Sequence, residues 1–106
     1  MEKNLRLSPL FDCYTGLLSE KKQRVFSLYY DEDLSLAEIS ELTEITRQGV
    51  RDLLSRTAEE LLWYEEVLGL YQKGCARIAR IKEIETVLEK VPDLKEKIEP
   101  LLRDMI

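Results

Sequence analysis

Apolar positions recur along this chain at intervals of three and four residues, so helices are predicted over nearly all of it. The pattern is sharpest over Ser35 to Leu54, SLAEISELTEITRQGVRDLL. Leu36, Ile39 and Leu42 form one apolar face, and Ser35 with Glu38 has the spacing of a capping box. Val50, Leu53 and Leu54 form the stripe of a second helix, with Thr46 placed to cap it. Two capped helices joined by Thr43, Glu44 and Ile45 match a helix-turn-helix unit. In such a unit the second helix offers its N-terminal residues to base edges in the major groove. Here that leaves Thr46, Arg47, Gln48, Arg51 and Ser55, followed by Arg56, as the candidate reading residues.

Upstream, Ser8-Pro9 reads as a helix start, followed by Leu10, Phe11, Tyr14, Leu17 and Leu18 at helical spacing. Gly16 weakens that helix by about 1 kcal/mol relative to Ala. Ser19 can cap a second helix, Glu20 to Tyr30, with Val25, Phe26, Leu28 and Tyr29 inward and Lys21, Lys22 and Arg24 outward. Asp31-Glu32-Asp33 forms a polar turn before Ser35.

Downstream of Leu54 no proline occurs until Pro92. Leu61, Tyr64, Leu68, Tyr71, Cys75 and Ile78 fall in a heptad seam. Ile81, Ile84, Leu88 and Val91 continue it in a slipped register near Arg80. A single helix from Arg47 to near Lys90 is therefore expected, about 65 Å long, with Gly69 and Gly74 as kink points. A seam of that length exceeds what the preceding segment can cover, and each Leu or Ile left in water forgoes about 1.5–3 kcal/mol. A homodimer or larger homo-oligomer is expected, with those six seam residues as its interface. Pro92 ends the rod. Asp93 and Glu96 repeat the capping-box spacing. Leu94, Ile98, Leu101 and Met105 then make a final amphipathic helix, bent at Pro100, that folds back on the seam. The expected architecture is all-α: a helix-turn-helix domain over 1–57, and a long helix plus C-terminal helix over 58–106 serving oligomerisation.

Composition narrows the function. The 106 residues are 44% hydrophobic and 35% charged, with four Gly and three Pro, which favours helix. No apolar run approaches the ~18 residues of a membrane span, and MEKNLRLSPLF lacks a secretory apolar core, so a cytoplasmic location is expected. Cys13 and Cys75 stand far apart and the chain has no histidine. A disulfide framework and a zinc site are therefore not expected, and each cysteine reads as a reduced, packed thiol. Without histidine the usual base–nucleophile pairs are missing, so neither an enzyme nor a cofactor is expected.

The net charge of −5 opposes a simple phosphate-binding role, since nucleic-acid binders are usually basic. The local signs differ. Residues 46–56 carry Arg47, Arg51 and Arg56 against Asp52, and residues 73–82 carry Lys73, Arg77, Arg80 and Lys82 without an acid. Acids gather at Asp31–Asp33 and at Glu59, Glu60, Glu65 and Glu66.

On the reading helix, Arg pairs with guanine, Gln with adenine, and Thr46 with the helix N-terminus can hold a phosphate. Gly49 inside that helix and Asp52 on its exposed side oppose this, and the alternative is a retained fold with a solvated outer face. The KGCARIARIK run, Lys73 to Lys82, offers either a patch for RNA phosphates or an acidic protein, or the charged flank of a coiled coil. Trp63, Tyr64 and Tyr71 could stack on bases, but their place along the seam favours core or dimer contact. Tyr29 and Tyr30 read as packing residues. The pairs Glu59-Glu60 and Glu65-Glu66 read as solvated, since adjacent helical residues point apart.

The run from Leu18 through Leu54 resembles region 4 of bacterial sigma factors. The likeness lies in the helix before the motif, in LSLAEISEL, and in the placement of Ile45 and Val50. Over the longer stretch LFDCYTGLLSEKKQRVFSLYYDEDLSLAEISELTEITRQGVRDLLSRTAEEL and the WYEEVLGL beyond it, the chain resembles the small bacterial YlxM family. The resemblance covers residues 4 to about 75. It implies an all-helical helix-turn-helix protein whose genes sit beside those of the signal recognition particle and its receptor, with a role in that pathway or its regulation. Two departures bear on the site: Glu44 stands where related motifs favour Gly, and Thr43 replaces a usual apolar contact. Two functions remain open. One is a regulator that binds DNA through residues 46–56. The other is a non-catalytic docking factor for signal recognition particle components, with Arg77 and Arg80 as contacts.

Overall fold

The computed structural model describes residues 3–106. The helices are α1 (Leu7–Tyr14), α2 (Glu20–Tyr30), α3 (Leu36–Thr43), α4 (Arg47–Leu68), α5 (Leu70–Leu88) and α6 (Pro92–Arg103), with a 3-10 turn at Thr15–Leu17. No strand occurs among the described residues, and the fold is all-α. The chain divides into two compact units, the first ending at Gly69 and the second running from Leu70 to Ile106.

In the first unit α1, α2 and α3 pack around α4. Leu7, Leu10, Phe11, Tyr14 and Leu18 meet Val25, Phe26 and Tyr29 of α2, Ile39 of α3, and Val50, Leu54 and Leu61 of α4. The rings of Phe11 and Phe26 stack at 4.5 Å and those of Phe26 and Tyr30 at 4.2 Å, so the aromatics of α2 do serve packing. The first helix starts one residue before Ser8, with no side-chain cap, because Leu7 is itself a core residue. Pro9 remains harmless there, since the first-turn N–H groups have no partner within the helix. At the other end Gly16 lies in the 3-10 turn, and the Gln23 carboxamide donates to the carbonyls of Thr15 (2.8 Å) and Leu18 (2.9 Å). Leu17, expected inward, is exposed. Ser19 caps α2 as its position predicts, accepting from the Lys22 N–H. The polar turn after α2 places Asp33 in an ion pair with Lys3.

The uninterrupted rod expected from Arg47 to Lys90 does not form. The fourth helix stops at Leu68, where Gly69 takes the left-handed conformation (φ 61°) and donates its N–H to the Glu65 carbonyl. Glycine adopts that cap without the clash a Cβ brings. Gly74 stays helical within α5. The boundary accordingly lies at Gly69 rather than after residue 57, because α4 keeps packing into the first unit for two further turns. One residue of the expected seam is corrected with it. Leu61 is 0% exposed in its own chain's core, which leaves it nothing to offer a second copy. Tyr64 is half-buried, its ring 5.8 Å from that of Tyr14 and its hydroxyl donating to the Leu17 carbonyl. Leu68, Tyr71, Cys75 and Ile78 are exposed.

The second unit is a helical hairpin. Ile81 and Leu88 of α5 pack on Ile98 and Leu102 of α6. Pro92 opens α6, but its N-cap is Val91, so the Asp93–Glu96 capping box does not form. Instead Asp93 in the first turn and Arg103 in the last each complement the helix dipole. Ile84, Val87, Val91, Leu94, Leu101 and Met105 are exposed. No helix among the described residues is long and apolar enough to cross a membrane.

Candidate nucleic-acid interface

The site is built from α3, the turn and the first turns of α4. Ser35 and Glu38 form the expected capping box: the Glu38 N–H donates to the Ser35 hydroxyl (3.1 Å) and the Ser35 N–H to the Glu38 carboxylate (3.0 Å). The backbone donor, then the hydroxyl, holds the Glu38 carboxyl below the usual carboxylate range. Ile39, 0% exposed, anchors α3 to the core, whereas Leu42 points outward.

Three side chains lock the turn. The Ser40 hydroxyl donates to the Ile45 carbonyl (2.5 Å), and the Thr43 hydroxyl donates to the Ile39 carbonyl (2.7 Å) while accepting from the Ile45 N–H. The Thr46 hydroxyl accepts from the Gly49 N–H at 3.0 Å, the cap its position predicts. Thr43 thus replaces an apolar contact with a hydrogen bond, and Ser40 is a turn residue that sequence reasoning passed over. Its signal was a small hydroxyl in the last turn of a helix, where a carbonyl lies within reach. Glu44 adopts the left-handed conformation (φ 61°), which explains the preference for Gly there in related motifs. Gly49 has a purpose its helix propensity hid. A Cβ at that position would lie 2.8 Å from Ile45 Cγ2 and 3.0 Å from Thr46 Oγ1, so any larger residue displaces the turn's side chains.

Thr46, Arg47, Gln48, Arg51, Ser55 and Arg56 are all exposed, while Val50, Leu54, Thr57 and Leu61 fix the opposite stripe of α4 in the core. Arg47, Arg51 and Ser55 share a ridge at four-residue spacing. Among the described residues neither Arg47 nor Arg51 is in an ion pair. Gln48 differs from the expectation, because its carboxamide donates to Asp52 at 2.9 Å and must release that carboxylate before it can read a base. The arrangement can place two guanidiniums and a helix N-terminus against phosphates and base edges.

The other candidates separate. Lys73, Arg77, Arg80 and Lys82 are exposed on α5 in the second unit, with Arg80 3.4 Å from Glu83. Only one glutamate of each expected solvated pair is solvated. Glu60 is half-buried 3.3 Å from Lys22, and Glu65 accepts from the buried Tyr14 hydroxyl at 2.5 Å, because both lie beside the Leu61 stripe facing α1 and α2. Trp63, 57% exposed, sits outside the core. Cys13 and Cys75 are free thiols, but both are exposed rather than packed. Burial of nearby atoms and the Glu65 charge raise the Cys13 thiol pKa. Among the described residues no group of three or more Cys, Asp or Glu is placed to hold a metal.

A core-anchored helix, a side-chain-locked turn and a second helix with a solvated cationic ridge define a helix-turn-helix protein. Its sequence matches a family profile described as "UPF0122: Putative helix-turn-helix protein, YlxM / p13 like" over residues 1–101, and the chain belongs to that family. Curated relatives agree over most of their length. A UPF0122 protein of Clostridium botulinum is 42% identical over 97 residues, covering 92% of this chain and 84% of the relative. One of Clostridium perfringens is 39% identical over 106 residues, covering 100% and 95%. One of Bacillus cereus is 42% identical over 108 aligned positions, covering 95% and 98%.

Proposed function

We propose that the protein is a cytoplasmic, non-catalytic regulator that binds duplex DNA with the N-terminal half of α4. The observation that carries this reading is the ridge of Arg47, Arg51 and Ser55, solvated and free of ion pairs among the described residues, on a helix whose opposite face is fixed in the core. Major-groove insertion needs this combination of a rigid support and uncommitted donors. The deciding experiment is DNA affinity against salt for the wild type and Arg47→Ala/Arg51→Ala. Loss of two phosphate or base contacts weakens binding and flattens the log–log salt slope by about two. An unchanged slope overturns the reading.

The exposed row Lys73, Arg77, Arg80 and Lys82 favours a second reading, docking to components of the signal recognition particle, in keeping with the resemblance to the YlxM family. Capture of the particle's protein and RNA components that is abolished by Arg77→Glu/Arg80→Glu and indifferent to Arg47→Ala supports it. Either role is consistent with a homodimer formed through the second unit, since Ile84, Val87, Leu94 and Leu101 are exposed on a hairpin with a very small core of its own. Sedimentation at micromolar concentration tests this. A dimer presenting two α4 helices about 34 Å apart matches successive major grooves.

A further inference from the structure

The first unit has a groove of about 320 Å³ beside the turn, walled by Glu20, Lys21, Arg24 and Val25 of α2 on one side and by Thr43 and Ile45 on the other. Ile45 immediately precedes Thr46, the cap of α4, so the groove opens where the candidate reading helix begins. Lys21 and Arg24 are exposed, and among the described residues neither is in an ion pair. This contrasts with Lys22 between them, which is committed to Glu60, and with Lys3, which is committed to Asp33. Glu20 is the one acid on the groove wall, so the two cations exceed it.

We infer that Lys21 and Arg24, with the groove they line, form a second contact for duplex DNA: a seat for the sugar–phosphate backbone flanking the major groove that α4 enters. The major groove is about 12 Å wide and a helix with its side chains about 10–12 Å across, so an inserted helix is bordered by backbone strands on both sides. Elements adjoining the entry point of α4 therefore face phosphates rather than bases. Of these, α2 presents two uncommitted cations beside a recess whose lining also includes the apolar Val25 and Ile45, which suits a deoxyribose between two phosphates. Such contacts set register on the duplex and carry no sequence preference. They also compensate for Asp52 and Glu44, acids the phosphates meet on the reading side. The inference rests on the reading of α4 as the DNA-entering helix and extends the interface to a helix outside the motif.

The test is fluorescence anisotropy with a random-sequence 30-base-pair duplex, titrated with salt, on four full-length chains. These are the wild type, Lys21→Gln/Arg24→Gln, Arg47→Ala/Arg51→Ala, and the conservative Lys21→Arg/Arg24→Lys. The glutamine pair is expected to lower low-salt affinity roughly tenfold and the salt slope by about two, with the conservative pair close to wild type. All four side chains are exposed, and far-UV circular dichroism confirms that each variant is folded. If the glutamine pair keeps the wild-type slope while Arg47→Ala/Arg51→Ala loses it, the groove is not a backbone seat and the role of α4 stands. A conservative pair that fails as badly as the glutamine pair also overturns the inference, because charge is then not what matters. Wild type that does not bind the duplex at low salt overturns both.

Discussion

The two units solve the problem of a small core differently. The first gathers twelve buried apolar side chains, eleven of them from its four helices and Leu18 from the loop before α2, and ties its loops with side-chain hydrogen bonds. The second has two helices, three buried side chains and a row of exposed aliphatics. A chain segment shorter than about 40 residues seldom folds on its own core. The comparison teaches that the motif unit is rigid enough to aim side chains, whereas the hairpin has most of its apolar surface still available.

Core truncation should separate the units most strongly. Leu61→Ala removes a side chain that is 0% exposed at the junction of α4 with its neighbours, and a loss of about 2–5 kcal/mol in global stability is expected from urea denaturation. Ile81→Ala in the hairpin should accelerate amide exchange across α5 and α6 while leaving the exchange of α1 to α4 unchanged. If Ile81→Ala lowers protection in the first unit as much as Leu61→Ala does, the division at Gly69 is only a bend within one cooperative body.

Next in size is Gly49→Ala. Alanine favours a helix interior over glycine by about 1 kcal/mol, so propensity alone calls for a gain. The 2.8 Å approach to Ile45 Cγ2 calls for the opposite, since Ile45 packs partly buried against the core and displacing its branched side chain costs about 1–3 kcal/mol. A net loss in melting temperature is expected, and a gain would show that the turn is as yielding as the hairpin.

What the sequence made legible divides along the same line. The motif was readable because its signals are local: Ser35 with Glu38, Ser19 and Thr46 each lie within four residues of the N–H they satisfy. The exposed face of α4 followed, since a helix with one buried stripe must solvate the other. The rod was misread because the seam runs through Gly69 without a change of spacing, and glycine's freedom to close a helix leaves no trace in apolar periodicity. The burial of Leu61, Glu60 and Glu65 was equally hidden, because it depends on where α1 and α2 lie, a long-range fact. The groove under Lys21 and Arg24 is of the same kind, since it brings Thr43 and Ile45 beside the start of α2, some twenty residues earlier in the chain.

A smaller effect of opposite sign is expected at Glu44. Its left-handed conformation costs a side-chain-bearing residue about 1–2 kcal/mol, of which glycine would recover part and then lose about 0.5–1 kcal/mol in backbone entropy. Glu44→Gly should thus stabilise the first unit slightly, by at most about 0.5–1 kcal/mol, in thermal melts. It should also tighten DNA binding at low salt by removing an acid from the turn.

The smallest effect is at Glu38, and it tests whether the caps contribute to the first unit's rigidity. Its carboxyl is held below its ordinary value of 4.5 by the Ser35 N–H and hydroxyl. A group whose pKa is depressed by folding adds stability that is complete above its unfolded value and disappears as pH falls through its folded value. The melting temperature of the wild type should therefore exceed that of Glu38→Ala at pH 7, and the difference should shrink on acidification below about 4.5. In the hairpin no such capping carboxylate forms, since Val91 and not Asp93 occupies the N-cap. Glu96→Ala should consequently leave the melting temperature at pH 7 nearly unchanged, and a loss there as large as that of Glu38→Ala would mean that the two units are held at their helix starts in the same way.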